Sequence, residues 1–225
     1  MNLRTTVAAL AVWLLMAGCA HVTPARMALP EALSAADAPF EELPLQGVGG
    51  KARGEFRLGA AGGRFERSAS RLELFNASLN LDRASVRYSL GGQEAECRAR
   101  RNELQRGVLA LPVRPFTVSC EWSDGARLAL DAEPLAAGGT QQARRGRYEA
   151  GSLVLDLRSE HRLQGTKWPL AQPAGYLLTK QGVVVAALDL TGVTPRLWRP
   201  RAASPEQEAA TRAAIALALL WDPER

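Results

Sequence analysis

The stretch SPEQEAATRAAIALALLW, residues 204–221, decides how the rest of the chain is read. Ser204 is placed to accept from an otherwise unpaired backbone N–H as a helix N-cap. Pro205 sits at the first helical position, where its missing N–H costs nothing. Gln207 gives the S-x-x-Q spacing of a capping box. Glu206 and Glu208 put negative charge at the positive end of the helix dipole. Asp222-Pro223 ends the segment, because the residue before a proline is pushed out of helical geometry. From Ala213 to Trp221 no side chain is charged or polar. A helix lying on a surface keeps one polar face, so this one is expected to be covered on all sides. These nine apolar residues fall short of the ~20 that a bilayer span needs, so protein must supply the cover. Two arrangements do so: strands wrapped around the helix, or an open sheet with the helix on one face.

Upstream, the chain reads as short strands separated by turn residues. Runs at 51–58 and 63–69 flank a Gly-rich turn, and 71–75 alternates polar with apolar. Residues 84–90 place Val86, Tyr88 and Leu90 on one face, and Gly91-Gly92 turns the chain into 93–101 as a hairpin. The run 108–113 contains Pro112, which suits an edge or a bend. Residues 116–122 line up Phe116, Val118, Cys120 and Trp122, then turn through Ser123-Asp124-Gly125 into 126–132. After a loop at 134–142 come 147–150 and 153–163. A hairpin over 175–180 and 183–190 turns at Gln181-Gly182, and 194–199 is the last strand. Val183 to Leu188 is continuously apolar, as expected of a strand buried on both faces. The prediction is a mainly β fold: about ten to twelve short antiparallel strands in a barrel or sandwich, with one buried hydrophobic C-terminal helix.

The first residues have another character. Arg4 is followed by the apolar run VAALAVWLL, residues 7–15, which has the length of a secretory signal core. Leu15-Met16-Ala17-Gly18-Cys19 comes next and resembles the lipobox of bacterial lipoproteins, with Met16 where leucine is usual. The resemblance implies cleavage before Cys19, a diacylglyceryl group on its thiol and acylation of the new amino group, palmitate being the typical chain. Two or more chains anchor a protein stably, where one does so marginally. Ala20 stands after the cysteine instead of aspartate, which by the same resemblance implies sorting to the outer membrane, facing the periplasm. An ordinary signal peptide with a chance cysteine is the alternative. The chain then divides into a cleaved signal peptide (1–18), a lipidated cysteine with a flexible tether rich in Pro and Ala (19–45), and one β-rich domain (46–225). The tether has room for a short helix at 30–36.

Setting Cys19 aside leaves Cys97 and Cys120, an even remainder that suggests a disulfide in an exported protein. Two buried free thiols are the other possibility. A bridge would pin two neighbouring strands and stabilise by about 3 kcal/mol on a chain-entropy model.

The formal net charge is +5, and of 28 basic residues all but Lys51, Lys167 and Lys180 are arginine. Arg144, Arg145 and Arg147 form the tightest basic cluster; Arg196, Arg199 and Arg201 form a second beside Trp198. Together they are a candidate patch for an anionic ligand, such as anionic lipid or lipopolysaccharide phosphate, since guanidinium forks match phosphate. Nucleic acid does not fit: aromatics are 6% and not interleaved with the basic clusters. Catalytic material is sparse. The two histidines, His21 and His161, do not suffice for a His-based metal site, and no motif calls for a metal or cofactor. No G-x-S-x-G or H-E-x-x-H occurs. His161, beside Glu160 and Arg162, reads as a solvated strand position before it reads as a base. The pairs Glu94/Glu96 and Asp131/Glu133 each share a strand face and read as solvated, not as an acid/base pair. Gly47-Val48-Gly49-Gly50 opens no helix and is no phosphate loop.

The C-terminal succession of a hairpin, one more strand and an apolar helix resembles the tubby-like fold of tubby C-terminal domains, scramblases and LURP-one-type proteins. That resemblance covers about 45–221 and implies a twelve-stranded barrel threaded by a hydrophobic helix. It brings no functional residues with it. The expected function is that of a lipid-anchored envelope protein, a non-catalytic binding or structural module. A lipid-handling protein that uses a barrel cavity or an arginine-rich surface is the alternative, and an enzyme acting on a wall or sugar polymer a third.

Overall fold

The computed structural model describes residues 25–49, 51–72, 78–106, 109–134 and 141–220. Cys19 and Trp221 lie outside the described residues. Within them, twelve strands close into one antiparallel barrel: β1 Phe40–Gln46, β2 Arg53–Leu58, β3 Ala61–Leu72, β4 Ser78–Leu90, β5 Gln93–Arg106, β6 Leu109–Trp122, β7 Arg127–Ala132, β8 Arg144–Ala150, β9 Leu153–Glu160, β10 Gly175–Lys180, β11 Val183–Asp189 and β12 Arg196–Pro200. Each strand pairs with its neighbours in sequence, and β1 closes the ring on β12. Two helices accompany them, α1 Glu31–Ser34 and α2 Pro205–Leu219.

Consecutive antiparallel strands put alternate connections at opposite ends. One end carries the tight turns β2–β3, β4–β5, β6–β7, β8–β9 and β10–β11; it is called the hairpin end below. Gly91-Gly92 and Gln181-Gly182 both have positive φ at their two central residues, the geometry whose twist matches paired strands. The other end carries the longer connections 47–52, 133–143, 161–174 and 190–195; it is the loop end.

The chain leaves β12 at the hairpin end and returns through the middle of the barrel as α2. Ser204 caps it as expected, its Oγ accepting from the Gln207 N–H at 3.1 Å. The Gln207 side chain does not complete the box; it donates instead to the Pro200 carbonyl at 2.9 Å. Ala209, Ala210, Ala213, Ala214, Ile215, Ala216 and Leu219 are all buried and share one core with residues from every strand. The fit is one of sizes. The helix presents mostly methyl groups, and the wall supplies bulk through Phe56, Phe65, Tyr88, Phe116, Trp122, Tyr148 and Tyr176. Small on the plug and large on the wall lets a rod about 10–12 Å across fit the lumen.

Cys97 and Cys120 face each other across β5 and β6, point into the lumen and are bonded, with S–S 2.06 Å. The expected pinning of neighbouring strands is therefore present.

A second, smaller core lies on the outside of the barrel. Leu177, Ala187 and Trp198 point outward from β10, β11 and β12 and are covered by Met27 and Leu33 from the segment before β1. Met27 also forms an isolated bridge to Leu163. Gly175 makes this approach possible: a Cβ there would meet the Met27 sulfur at 2.6 Å and the Leu188 carbonyl at 2.0 Å. Beyond Val183, which is exposed, the apolar run is thus covered on one face by α2 and on the other by this strap.

The strap corrects the expected tether. Of 19–45, residues 25–39 run along the barrel from the loop end to the hairpin end, and 40–46 form β1. Pro44 argued against a strand there, yet β1 pairs with β2 only through Leu45 and Gln46. For most of its length it needs hydrogen bonds on one side alone, where proline is tolerated. The helix expected at 30–36 is the short α1. Elsewhere the fragment 63–69 and the start of 71–75, Arg71 and Leu72, belong to one strand, β3, residues 73–75 lying outside the described residues, and 109–113 joins 116–122 in β6. Pro112 lies in the part of β6 beyond its pairing with β7, and the β5–β6 register shifts there.

Candidate functional site

A row of charge runs across seven strands of the outer wall. Register places Arg53 opposite Glu66, Glu66 opposite Arg87, Arg87 opposite Glu96, Glu96 opposite Glu121, Glu121 opposite Arg127 and Arg127 opposite Glu149. Alternation turns them all outward, because Phe65, Tyr88, Ala95, Trp122, Leu128 and Tyr148 beside them fill the lumen. Ion pairs link Arg53 to Glu66 at 2.9 Å, Arg87 to Glu96 at 3.6 Å and Arg127 to Glu121 at 3.9 Å. Like charges meet once, at Glu96 and Glu121. Arg98 relieves this by pairing with Glu96 at 2.7 Å, and its hydrogen bond holds the Glu96 carboxyl below the usual carboxylate range. Such a wall is built for water; a membrane-spanning barrel carries an apolar band in that place.

On the hairpin side of this row lies a shallow groove of about 780 Å³. Its floor is the backbone of Gly54, Phe65, Tyr88, Ala95 and Trp122. Its charge is unevenly divided along its length: Arg53, Arg64 and Arg87 stand in the β2–β4 half with Glu66, which pairs with Arg53, and Glu94, Glu96 and Glu121 in the β5–β6 half. That arrangement suits an elongated polar ligand carrying both signs. Of the Glu94/Glu96 pair, Glu96 is taken up by hydrogen bonds from Arg98. Asp131 and Glu133, the other pair, lie on and just beyond β7, and Glu133 is bound to Arg145 at 2.8 Å.

At the hairpin end, polar groups hold the helix in place. Arg212, buried in the mouth of the barrel, pairs with Asp124 of the β6–β7 turn and with Glu208 one helical turn earlier. The Arg212 hydrogen bond keeps the Asp124 carboxyl below its usual range. Trp122 Nε1 donates to the Tyr88 hydroxyl at 3.0 Å, and that hydroxyl donates to the Arg212 carbonyl at 3.0 Å. Burial pushes the Tyr88 hydroxyl well up, so it stays neutral. Lys180 of the β10–β11 hairpin pairs with Glu206. At the loop end, Arg67 donates to the Leu219 carbonyl at 3.4 Å and to the Val48 carbonyl at 3.2 Å. It thereby caps the helix and secures the β1–β2 loop, while burial lowers its guanidinium from the ordinary arginine value.

The six arginines expected as one anionic-ligand patch are not brought together. Three strands separate β8 from β12. Arg144 points into the lumen, is fully buried, stacks 3.9 Å from the Phe116 ring centre and donates to the Tyr176 hydroxyl at 3.0 Å. Arg145 and Arg147 face outward, and Arg147 pairs with Asp156 at 3.3 Å. Arg196 lies between Glu42 and Asp189, 3.6 Å from each. Arg199 turns inward to Thr211 at 2.7 Å and to Glu41 at 2.8 Å. Arg201 donates to the Phe40 carbonyl at 2.7 Å. Strand alternation divides residues that are adjacent in sequence between opposite faces, and most of these arginines are held by carboxylates.

His161 is not solvated. It is buried past the end of β9, with Nδ1 3.0 Å from the Leu170 carbonyl and Nε2 2.9 Å from Ser159 Oγ. Nδ1 thus closes the 161–170 turn, and Nε2 ties it to β9. Burial pushes the Glu160 carboxyl up, but hydrogen bonds from Arg162 outweigh it, and Glu160 lies below its ordinary value. The groove was missed from sequence, although part of its signal was there: Arg87 and Glu96 are equidistant from the Gly91-Gly92 turn. Among the described residues no group of three or more His, Cys, Asp or Glu could hold a metal.

No family model, no curated protein and no solved structure matches this chain.

Proposed function

We propose that this is a lipid-anchored cell-envelope protein of the outer membrane, a non-catalytic binding or structural module that faces the periplasm. The observation that carries the reading is the run VAALAVWLLMAGC, residues 7–19, with small residues immediately before Cys19. The bonded pair Cys97–Cys120 supports an oxidising compartment. The barrel supports a module that works from its outer surface, because its own helix fills the lumen. Kinship with the tubby-like fold belongs to this proposal and is supported by architecture alone. The groove across β2–β6 is the binding surface in this reading, for an elongated ligand of mixed charge.

An acyl-chain cavity has less support. The cavity beside Arg144, Phe116 and Leu220 amounts to about 30 Å³, room for roughly one water.

Metabolic labelling with a palmitate analogue tests the anchor. The wild-type protein is expected to take up label and fractionate with outer membrane, and Cys19→Ser to do neither. Unlabelled protein released free into the periplasm rejects the reading.

A further inference from the structure

We infer that the loop end of the barrel rests on the bilayer that holds the anchor, with Trp168, Leu170 and Val193 in its headgroup region. The inference rests on acylation of Cys19. Its first support is place. The Ala25 carbonyl lies 2.8 Å from the Thr191 hydroxyl on the β11–β12 loop. The Arg26 carbonyl accepts from the Gln164 N–H on the β9–β10 loop at 2.8 Å. The chain therefore joins the barrel between these two loops.

The second support is reach. Six residues lead from Cys19 to Ala25, and even fully extended they span at most about 20 Å. A cysteine acylated into a bilayer keeps these two loops near its surface. The third support is what the loops display. Val193 is 97% exposed, Trp168 84% and Leu170 39%. Tryptophan favours the membrane interface, where its ring is half in the apolar layer and its N–H stays wet. The fourth is charge. Loops 47–52, 161–174 and 190–195 contain Lys51, Arg162 and Lys167 and no carboxylate; Arg162 is paired with Glu160 and Glu133 of the 133–143 connection with Arg145, which leaves Lys51 and Lys167 to match anionic head groups. At the opposite end Asp124, Glu206 and Glu208 stand with the Arg212 and Lys180 that pair with them. In this pose the groove, which borders the hairpin end, points away from the membrane.

The test uses the lipidated full-length protein in vesicles of phosphatidylethanolamine and phosphatidylglycerol. Val193→Cys is labelled with an environment-sensitive fluorophore. Val183→Cys, 67% exposed beside the β10–β11 turn, serves as the control. The Val193 label is expected to shift to the blue on vesicles and to be quenched several-fold more than the Val183 label by lipids with a shallow spin label. Vesicle flotation is measured on the same samples. Floating protein with both labels unquenched overturns the inference and leaves the anchor standing. Loss of flotation overturns the anchor and the inference with it. A blue shift without vesicles shows that a second copy covers the loop, and also overturns the pose.

Discussion

At the hairpin end, Gly91-Gly92 and Gln181-Gly182 close their hairpins in two residues each. Asp124, Lys180 and Tyr88 reach from the wall to hold the first turns of α2. At the loop end the β9–β10 connection takes residues 161–174, and the tips of two loops show Trp168 and Val193 to solvent. One end is finished on its own terms, with its polar groups paired inward. The other displays Trp168, Leu170 and Val193, against Val154 and Val183 beside the turns of the first. In the inferred pose the loop end meets the membrane while the hairpin end holds the first turns of the helix, so substitutions at the two should read out in different experiments.

The largest effect is expected where both ends depend on one element. Ile215 is fully buried at mid-helix. Ile215→Asp places a carboxylate among the wall residues, at a cost of several kcal/mol against a typical total of about 5–15. Thermal unfolding followed by circular dichroism should lose its cooperative transition. A variant that melts like the wild type would show that the helix is not the plug of the barrel. Next in size is the disulfide. Replacing Cys97 and Cys120 together with alanine should cost about 2–5 kcal/mol, measured as a lowered denaturant midpoint. An unchanged midpoint would mean that strand pairing alone sets the β5–β6 register.

The lock at the hairpin end comes third, and it has a pH signature. The Asp124 carboxyl is held below its usual range by Arg212, while in the unfolded chain it titrates near 3.9. A carboxylate lowered by folding stabilises fully above its unfolded value. That contribution fades as pH falls through about 4 and on through the lower folded value. Unfolding midpoints between pH 7 and pH 3 should therefore fall less steeply for Asp124→Asn than for the wild type. Parallel curves would show that the pair adds nothing to stability.

The same contrast shows what could be read without coordinates. The start of α2 was legible because Ser204, Pro205 and the acidic first turn are local signals; its last residue, Leu219, falls two short of the expected Trp221. Burial of β11 on both faces was legible from its unbroken apolar run, but not what covers it. The strap's apolar residues, Met27, Leu29 and Leu33, are scattered among prolines and alanines with no helical or strand period. β1 was hidden by Pro44, tolerable only because so little of the strand is paired on its β2 side. The inward turn of Arg144 could have been taken from alternation with Tyr148, two steps of period two along β8. Nearness in sequence to Arg145 and Arg147 suggested a cluster instead. The charged row of the outer wall needs the register of seven strands at once, which local spacing supplies only across a tight turn such as Gly91-Gly92.

The smallest effect on stability separates the two ends most sharply. Trp168→Ser with Val193→Ser removes two exposed side chains that hold no fold together, so unfolding should stay within about 0.5 kcal/mol of the wild type. Flotation of the lipidated protein should also persist, because the acyl chains supply the anchor. What should change is orientation. A fluorophore at Leu170→Cys should lose its quenching by a shallow spin-labelled lipid when both substitutions are present, as the loop end lifts from the surface. Destabilisation beyond that margin would return these side chains to the fold. Unchanged quenching would mean that the short link to Cys19 alone sets the pose and that the loop tips take no part in it.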